Sequence, residues 1–401
     1  MGGMPWKVSN AVDLRSSFVA RYLAGESMSA LCREHGISRK TGYKFVERHR
    51  LLGESGLLNA SRRPLRSSKK TPSEIVVRIV ALREQHPTWG PRTLRDRLQT
   101  LHPDVVWPSR TTIAKILHLR QLSKPQRRRR RIHPSTQPLS HALAPNDLWC
   151  IDYKGQFRLG DGSYCYPLTV TDGFSRLLLV CEGFESISFE DVQGALIAAF
   201  FSYGMPKAIR SDNGPPFASS RSSLGWSRFT PWLAKLGIAH ERIDPGKPQQ
   251  NGRHERMHRT LKAETTRPAQ KTLCMQQEKF DAFRHVYNEE RPHQALGGVA
   301  PSTIYQPSPR KLPKILPAPS YPLHDLVRRV LHGGTVLPLI GHRFHLSTTL
   351  VDEHVGLREV EPGRWLVSFL HFDLGHYDEN TRKFDPCGNE AQRIKITKKK
   401  P

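Results

Sequence analysis

The chain has 401 residues, 62 of them Lys or Arg against 36 Asp or Glu, a formal charge of +26. At roughly 100–200 residues per domain this length suits two to four domains, and a positive excess of this size on a folded chain points to a polyanion partner. A hydrophobic fraction of 37 % excludes disorder throughout, while no apolar run approaches a membrane span, the longest lying near 196–201. The opening MGGMPWKVSN lacks the apolar stretch of a secretory signal. Six scattered cysteines, at 32, 150, 165, 181, 274 and 387, include no C-x-x-C pair and fit neither a disulfide framework nor a zinc ribbon. The expectation is a thiol-reduced cytoplasmic protein with no membrane partner.

Residues 1–140 hold 28 Lys and Arg against 9 Asp and Glu, a net +19. Within 10–52, a helix is predicted from about Val12 to Leu23, and a second from Met28 to His35, stopped by Gly36 as a left-handed cap. Ser38 then caps a third, Arg39 to about His49. Helices joined by a Gly-containing turn fit a helix-turn-helix, with Ser38, Arg39, Lys40, Thr41 and Lys44 turned toward double-stranded DNA. A plain three-helix bundle with a basic face has the same pattern. Residues 53–72 are polar, basic and aperiodic, and read as a linker.

A second module is predicted over 73–122. Its helices run Glu74–Glu84, Arg92–Leu101 after Pro91, and Thr111 to about Leu119 after Ser109. Arg92, Arg110, Thr112 and Lys115 form its basic reading face, and Trp89 is assigned to its core. Residues 123–143 contain Arg127, Arg128, Arg129, Arg130 and Arg131, a self-repelling run followed by prolines. Such a run reads as an extended linker suited to phosphate contact or simply solvated.

From Asn146 the basic excess falls and β-branched and aromatic residues appear. Strands are predicted at 148–153, 164–171 and 177–184, then a helix with Val192, Leu196 and Phe200. A short strand breaks into a turn at Asp212-Asn213-Gly214; a helix near 231–236, a strand at 238–243 and a basic helix from about Gln250 to Glu264 follow. This order describes a mixed sheet flanked by helices.

Three carboxylates stand out by setting: Asp152 inside an apolar strand, Asp212 at a strand end, and Glu255 in the first turns of the basic helix. A carboxylate in a central strand is strongly desolvated unless compensated, and a pair of Mg²⁺ ions, or Mn²⁺ in their place, would compensate it. Two such ions about 3.5–4 Å apart activate a water or 3′-hydroxyl and stabilise the leaving oxygen of an in-line phosphoryl transfer. Glu255, Arg259 and Lys262 fall at i, i+4 and i+7, one helix face on which an acid stands beside two cations suited to a DNA phosphate. An ordinary Glu–Arg surface pair has the same spacing. Asp172 and Asp244 sit in turns, where Asp is favoured for backbone reasons, and Cys150, Cys165 and Cys181 read as buried small apolar residues.

Asp-Asn-Gly at 212–214, Pro-Gly-Lys-Pro-Gln-Gln-Asn-Gly at 245–252 and Glu-Arg-Met-His-Arg-Thr-Leu-Lys at 255–262 resemble the integrase core of DDE transposases. Tyr287-Asn288, Arg291-Pro292-His293, Leu296-Gly297 and Pro301 resemble the segment that closes that core. The likeness is to bacterial insertion-sequence transposases with a retroviral-integrase-type catalytic domain, and it covers about 10–310. It implies a ribonuclease-H-like α/β catalytic core over 144–310, with Asp152, Asp212 and Glu255 as the metal-binding catalytic acids. Lys262 then matches the family's DNA-contacting lysine, and Arg259 a cationic position one turn earlier. The 42 residues between Asp212 and Glu255 exceed the family's usual spacing; the Ser-rich stretch 218–225 is the expected site of the excess, as a lengthened surface loop. No His/Cys zinc module of the retroviral kind precedes the core in this sequence.

A Pro- and Lys-rich linker is read at 311–330, a small SH3-like β-barrel at 331–395 and a basic tail at 396–401. The whole is then a multidomain α+β chain: helix-turn-helix modules, ribonuclease-H-like core, C-terminal small β-barrel. The implied activity is that of a bacterial, nucleoid-associated DNA transposase that binds its element's ends and joins exposed 3′-hydroxyls to target DNA. Synapsis of two ends implies a homo-oligomer, at least a dimer. A non-catalytic DNA-binding regulator and a ribonuclease-H-like structure-selective nuclease are the competing readings; intact acids and basic helix disfavour the first, the two reading modules the second.

Overall fold

Apolar residues three and four apart draw α1 (Ala11–Leu23), α2 (Met28–Glu34) and α3 (Arg39–Leu52) around a core of Phe18, Val19, Met28, Leu31 and Cys32. Gly42 lies where α3 crosses its neighbours: a Cβ there would come within 2.7 Å of Met28 Sδ and 2.9 Å of Cys32 Sγ. Ser38 Oγ accepts the Thr41 N–H at 3.2 Å and starts α3, as its side-chain chemistry predicts. One expectation needs correction: the front of the 53–72 stretch is part of this bundle. Gly53–Leu57 forms a 3₁₀ turn, Leu57 is buried in the core, and Arg15 donates to its carbonyl oxygen at 2.8 Å. A Leu57-Leu58 pair after Gly56 carries no periodicity, so sequence reading missed it.

The structure, a computed structural model, describes residues 11–59, 71–123, 141–219, 222–244, 248–323, 325–337 and 342–387. It divides into two compact units, 1–70 and 71–401. The run Arg127–Arg131 and the tail 396–401 lie outside the described residues, as do 245–247 of the loop before the basic helix.

The second unit opens with α4 (Ser73–Gln85), α5 (Pro91–Leu101) and α6 (Arg110–Leu119). Ile79, Leu82, Leu94, Leu98, Ile113 and Leu117 pack around Trp89, which is buried and stacked on His86. This triad rests on the catalytic-core segment through polar contacts: Arg97 donates to Glu290 at 3.3 Å, and Thr88 donates to Glu264.

The core sheet comprises β1 (Leu148–Tyr153), β2 (Phe157–Arg158), β3 (Tyr164–Asp172), β4 (Leu178–Phe184), with β5 (Ala208–Ser211) following α7 (Phe189–Tyr203), and β6 (Ala239–Arg242) following α8 (Phe229–Lys235). The order is β4-β3-β1-β5-β6, with β2 on the β1 side of β3. β1, β5 and β6 run parallel, and β3 is antiparallel to both β1 and β4. Alternation along the strands builds two hydrophobic layers. Trp149, Ile151, Val170 and Leu179 meet α7 and α8 on one face, while Cys165, Leu178 and Cys181 meet α9 (Gly252–Thr265) and α10 (Leu273–His285) on the other.

The C-terminal part departs from its predicted form. Its strands are β7 (Leu326–Arg329), β8 (Thr335–Val336), β9 (Phe344–His345), β10 (His354–Glu361), β11 (Arg364–Phe369), β12 (Phe372–Asp378) and β13 (Lys383–Pro386). They form an open five-stranded sheet, β13-β12-β11-β10-β7, and a separate β8-β9 ribbon. Among the described residues no pairing joins the β7 and β13 edges, so the expected barrel is not closed. β7 also lies inside the 311–330 segment read as linker. The Ser-rich stretch is not a free surface loop either: Leu224 and Trp226 are buried in the C-terminal core, and Ser223 Oγ donates to the Leu346 carbonyl oxygen at 2.6 Å.

Candidate catalytic centre

β1 is flanked by β3 along its length and by β5 over its first three residues, so its fifth residue lies just past the β5 pairing. Asp152 pairs with Thr169 of β3. On the other side Leu148, Trp149 and Cys150 pair with Ala208, Ile209 and Arg210, and continuing that parallel register brings Asp152 level with Asp212. Both carboxylates therefore stand at the carboxyl ends of adjacent parallel strands, where open α/β sheets form their crevice. The Asp212 carboxylate accepts the Gly214 N–H at 3.2 Å, and Asn213 donates to the Ile243 carbonyl oxygen at 2.6 Å, tying the turn to the end of β6.

The third acid arrives on α9. Glu255, Arg259 and Lys262 are all on its exposed side, while Met257 and Leu261 are buried, as the helical spacing predicts. Two histidines that sequence reasoning did not single out seat this helix. His254 and His258 are buried; His254 Nδ1 lies 2.7 Å from Thr171 Oγ1, and Nε2 of both rings lies within 2.8 Å of Thr169 Oγ1. Burial holds both imidazoles neutral, pulling His254 down to about 3 and His258 further. The available signal was the i, i+4 pair within His254-Glu255-Arg256-Met257-His258, the spacing of a helical metal-ligand motif. Near the start of α9, Arg210 donates to the Gln250 carbonyl oxygen at 3.3 Å and, through Nε, to Glu241 at 2.8 Å.

The electrostatics are those of crowded anions. The Asp152 carboxyl is pushed up to about 7, first by burial, then by the charge of Asp212 and, more weakly, of Glu255, with Lys154 opposing. Burial also raises Asp212. Among the described residues Asp152, His254 and His258 offer possible metal-ligand atoms within 4.8 Å of one another. Asp172 differs in kind: it accepts from Asn146 N at 2.8 Å and from Ser175 N and Oγ at 2.7 Å, a backbone anchor, as read from the sequence. Asp244 accepts from Gln250 Nε2 at 2.9 Å in its turn. Cys150, Cys165 and Cys181 are buried within the strands, as expected.

The proposed DNA-facing residues fall into two groups. Ser38, Arg39, Lys40, Lys44, Arg92, Arg110 and Lys115 are exposed, Arg92 lying 3.8 Å from Asp96. Thr41 and Thr112 are half-buried, with hydroxyls 2.9 Å from Ser38 Oγ and 3.0 Å from Ser109 Oγ, closing the starts of α3 and α6. The segment after α10 braces the sheet. Asn288 accepts the Leu178 N–H at 2.8 Å and donates to the Leu178 carbonyl oxygen at 3.0 Å, next to the irregularity in β3–β4 pairing.

Comparison with known proteins matches residues 142–248 and 236–301 to the integrase core domain. Together these matches give the chain an integrase core domain over 142–301. Residues 15–64 of the same chain match a helix-turn-helix domain and 41–117 a homeodomain-like domain. The integrase-core chain is homologous to insertion-element proteins. It is 27 % identical over 284 residues to the insertion element IS476 uncharacterized 39.2 kDa protein of Xanthomonas euvesicatoria, covering 70 % of this chain and 79 % of that one. It is 32 % identical over 178 residues to the insertion element IS407 uncharacterized 31.7 kDa protein of Burkholderia multivorans, covering 44 % of this chain and 61 % of that one. A solved structure of the HTLV-2 integrase catalytic core domain in complex with magnesium aligns with 41 % of the chain and all of its own, at 18 % identity and a TM-score of 0.33. The chain thus carries an integrase core domain preceded in sequence by helix-turn-helix domains, and no helix among the described residues is long and apolar enough to cross a membrane.

Proposed function

We propose that this integrase-core protein is a DNA transposase. Its helix-turn-helix modules bind the ends of a mobile element, and Asp152, Asp212 and Glu255 are its catalytic carboxylates, holding two Mg²⁺ ions for which Mn²⁺ can substitute. The observation that carries the reading is Asp152: a half-buried carboxyl on the central strand, raised to about 7 by desolvation and by Asp212 and Glu255. Carboxylates arranged to repel one another at a strand end are costly for folding and suited to holding divalent cations, to which they offer hard oxygen donors. Bound ions would supply activation of a water or 3′-hydroxyl and charge stabilisation at the leaving oxygen.

The chain's own residues do the rest. Arg259 and Lys262, exposed on the face that carries Glu255, hold the DNA backbone beside the acids. The His254 and His258 contacts to β3 fix the helix, and hence Glu255, against the sheet. Hydrolysis that exposes a 3′-hydroxyl and joining of that hydroxyl to target DNA are one displacement with two nucleophiles, so one carboxylate set serves both. Holding two ends at once requires at least two protomers.

The test incubates the full chain with Mg²⁺ and labelled end DNA. Strand-transfer product is expected, and Asp152→Asn should abolish it while end binding persists. Joining by the pure variant would overturn the assignment. Nicking without joining would favour a nuclease, and binding without either a regulator.

A further inference from the structure

The interior of the candidate centre contains one nitrogen that the three-acid reading does not use. The Thr169 hydroxyl has a single proton, donated to the Asp152 carbonyl oxygen at 3.1 Å. The arrangement that satisfies all three contacts has Nε2 of His254, at 2.8 Å, and Nε2 of His258, at 2.6 Å, both donating to Thr169 Oγ1 and filling its two lone pairs. His254 Nδ1 in turn accepts from the Thr171 hydroxyl at 2.7 Å. That leaves His258 with an unprotonated Nδ1, and this atom faces Asp152 Oδ2 at 3.7 Å.

A nitrogen lone pair opposite a carboxylate oxygen is repulsive, and 3.7 Å exceeds hydrogen-bond reach. A shared cation turns the repulsion into attraction. Cis ligands on an octahedral ion with bonds of about 2.1 Å stand about 3.0 Å apart, so the two atoms need to close by about 0.7 Å to share one ion. The other ring nitrogen, donating to Thr169, fixes tautomer and ring plane in the way that partners behind a metal-bound histidine do.

We propose that His258, through Nδ1, is a ligand to the divalent ion held at Asp152, giving a mixed nitrogen–oxygen site that prefers Mn²⁺ to Mg²⁺. The proposal rests on the metal reading of Asp152 above. Mg²⁺ favours an all-oxygen octahedron and gains little from imidazole, whereas transition ions gain from it.

Pulsed electron paramagnetic resonance of the full chain with one equivalent of Mn²⁺ reads the bond directly. Imidazole nitrogen modulation is expected in the unsubstituted protein, changing its pattern when histidine alone carries heavy nitrogen, and lost in His258→Gln. Isothermal titration should show Mn²⁺ bound at least about ten-fold more tightly than Mg²⁺, a ratio that His258→Gln lowers about ten-fold, with Mg²⁺ affinity little changed. Mn²⁺ that requires Asp152 yet shows no histidine nitrogen would overturn the role of His258 and leave the three-acid reading standing. Mn²⁺ binding indifferent to Asp152→Asn would overturn both. Isotope labelling needs no substitution, so the outcome stands even if His258→Gln fails to fold.

Discussion

Asp152, in the role proposed for it, works against its own fold. Its carboxyl titrates near 7 in the folded chain against an ordinary 3.8. The folded state therefore holds the proton more tightly than the unfolded one, so this group's stabilising contribution is greatest below about pH 4 and is lost as pH rises toward 7. Three units set an upper bound of about 4 kcal/mol, and residual solvent contact reduces it to about 2 kcal/mol. Asp152→Asn in metal-free protein should therefore raise stability by about 2 kcal/mol at pH 8, with the gain shrinking toward pH 4, as denaturant titrations would show. A gain independent of pH would place the cause elsewhere. The substitution expected to abolish joining is thus also expected to stabilise the chain, the trade-off of a strained catalytic group.

At the scale of elements, side chains that look like surface chemistry set helix position. The amphipathic reading of α9 assigned its charged face correctly and left the His254–His258 pair unremarked, because histidine is polar by composition and becomes an internal fastener only opposite Thr169 and Thr171. α3 shows the converse: Gly42 reads as a weak point in a helix, yet its missing Cβ admits Met28 and Cys32. Gly42→Val should overpack that crossing and destabilise the first unit by about 1–3 kcal/mol. Thermal melts of the full chain would show the loss, and an unchanged melting profile would mean that α3 can shift without penalty.

For the whole molecule, the charge layout makes a quantitative claim about DNA. Arg127–Arg131 sit between the second helical triad and the catalytic core in sequence. If each meets one phosphate, replacing all five with serine should lower the slope of log affinity against log salt by about 4–5. A slope unchanged by that replacement would show the run to be a solvated linker. The second unit is also knitted across its parts: Trp226, just after the Ser-rich stretch, packs edge-on against Phe369 and Phe372 of the C-terminal strands. Trp226 thus serves as a peg for the C-terminal sheet.

The sequence alone determined what depends on near neighbours. Ser38 and Ser109 announced helix starts by their side-chain chemistry, β-branched and aromatic runs marked β1, β3 and β4, and an acid inside an apolar strand singled out Asp152. Asp212 and Glu255 were legible from a strand-end turn and a one-faced helix. What only the tertiary structure decided depends on pairings between distant segments. Closure of a barrel requires two edge strands to meet, and the alternating pattern that predicted the strands is silent on whether β7 reaches β13. The Asn288 contact with Leu178 spans 110 residues, and the His258–Thr169 contact 89. No local periodicity encodes such distances; packing of α9 and α10 on the sheet creates them, and with them the setting in which His254 and His258 stand beside Asp152.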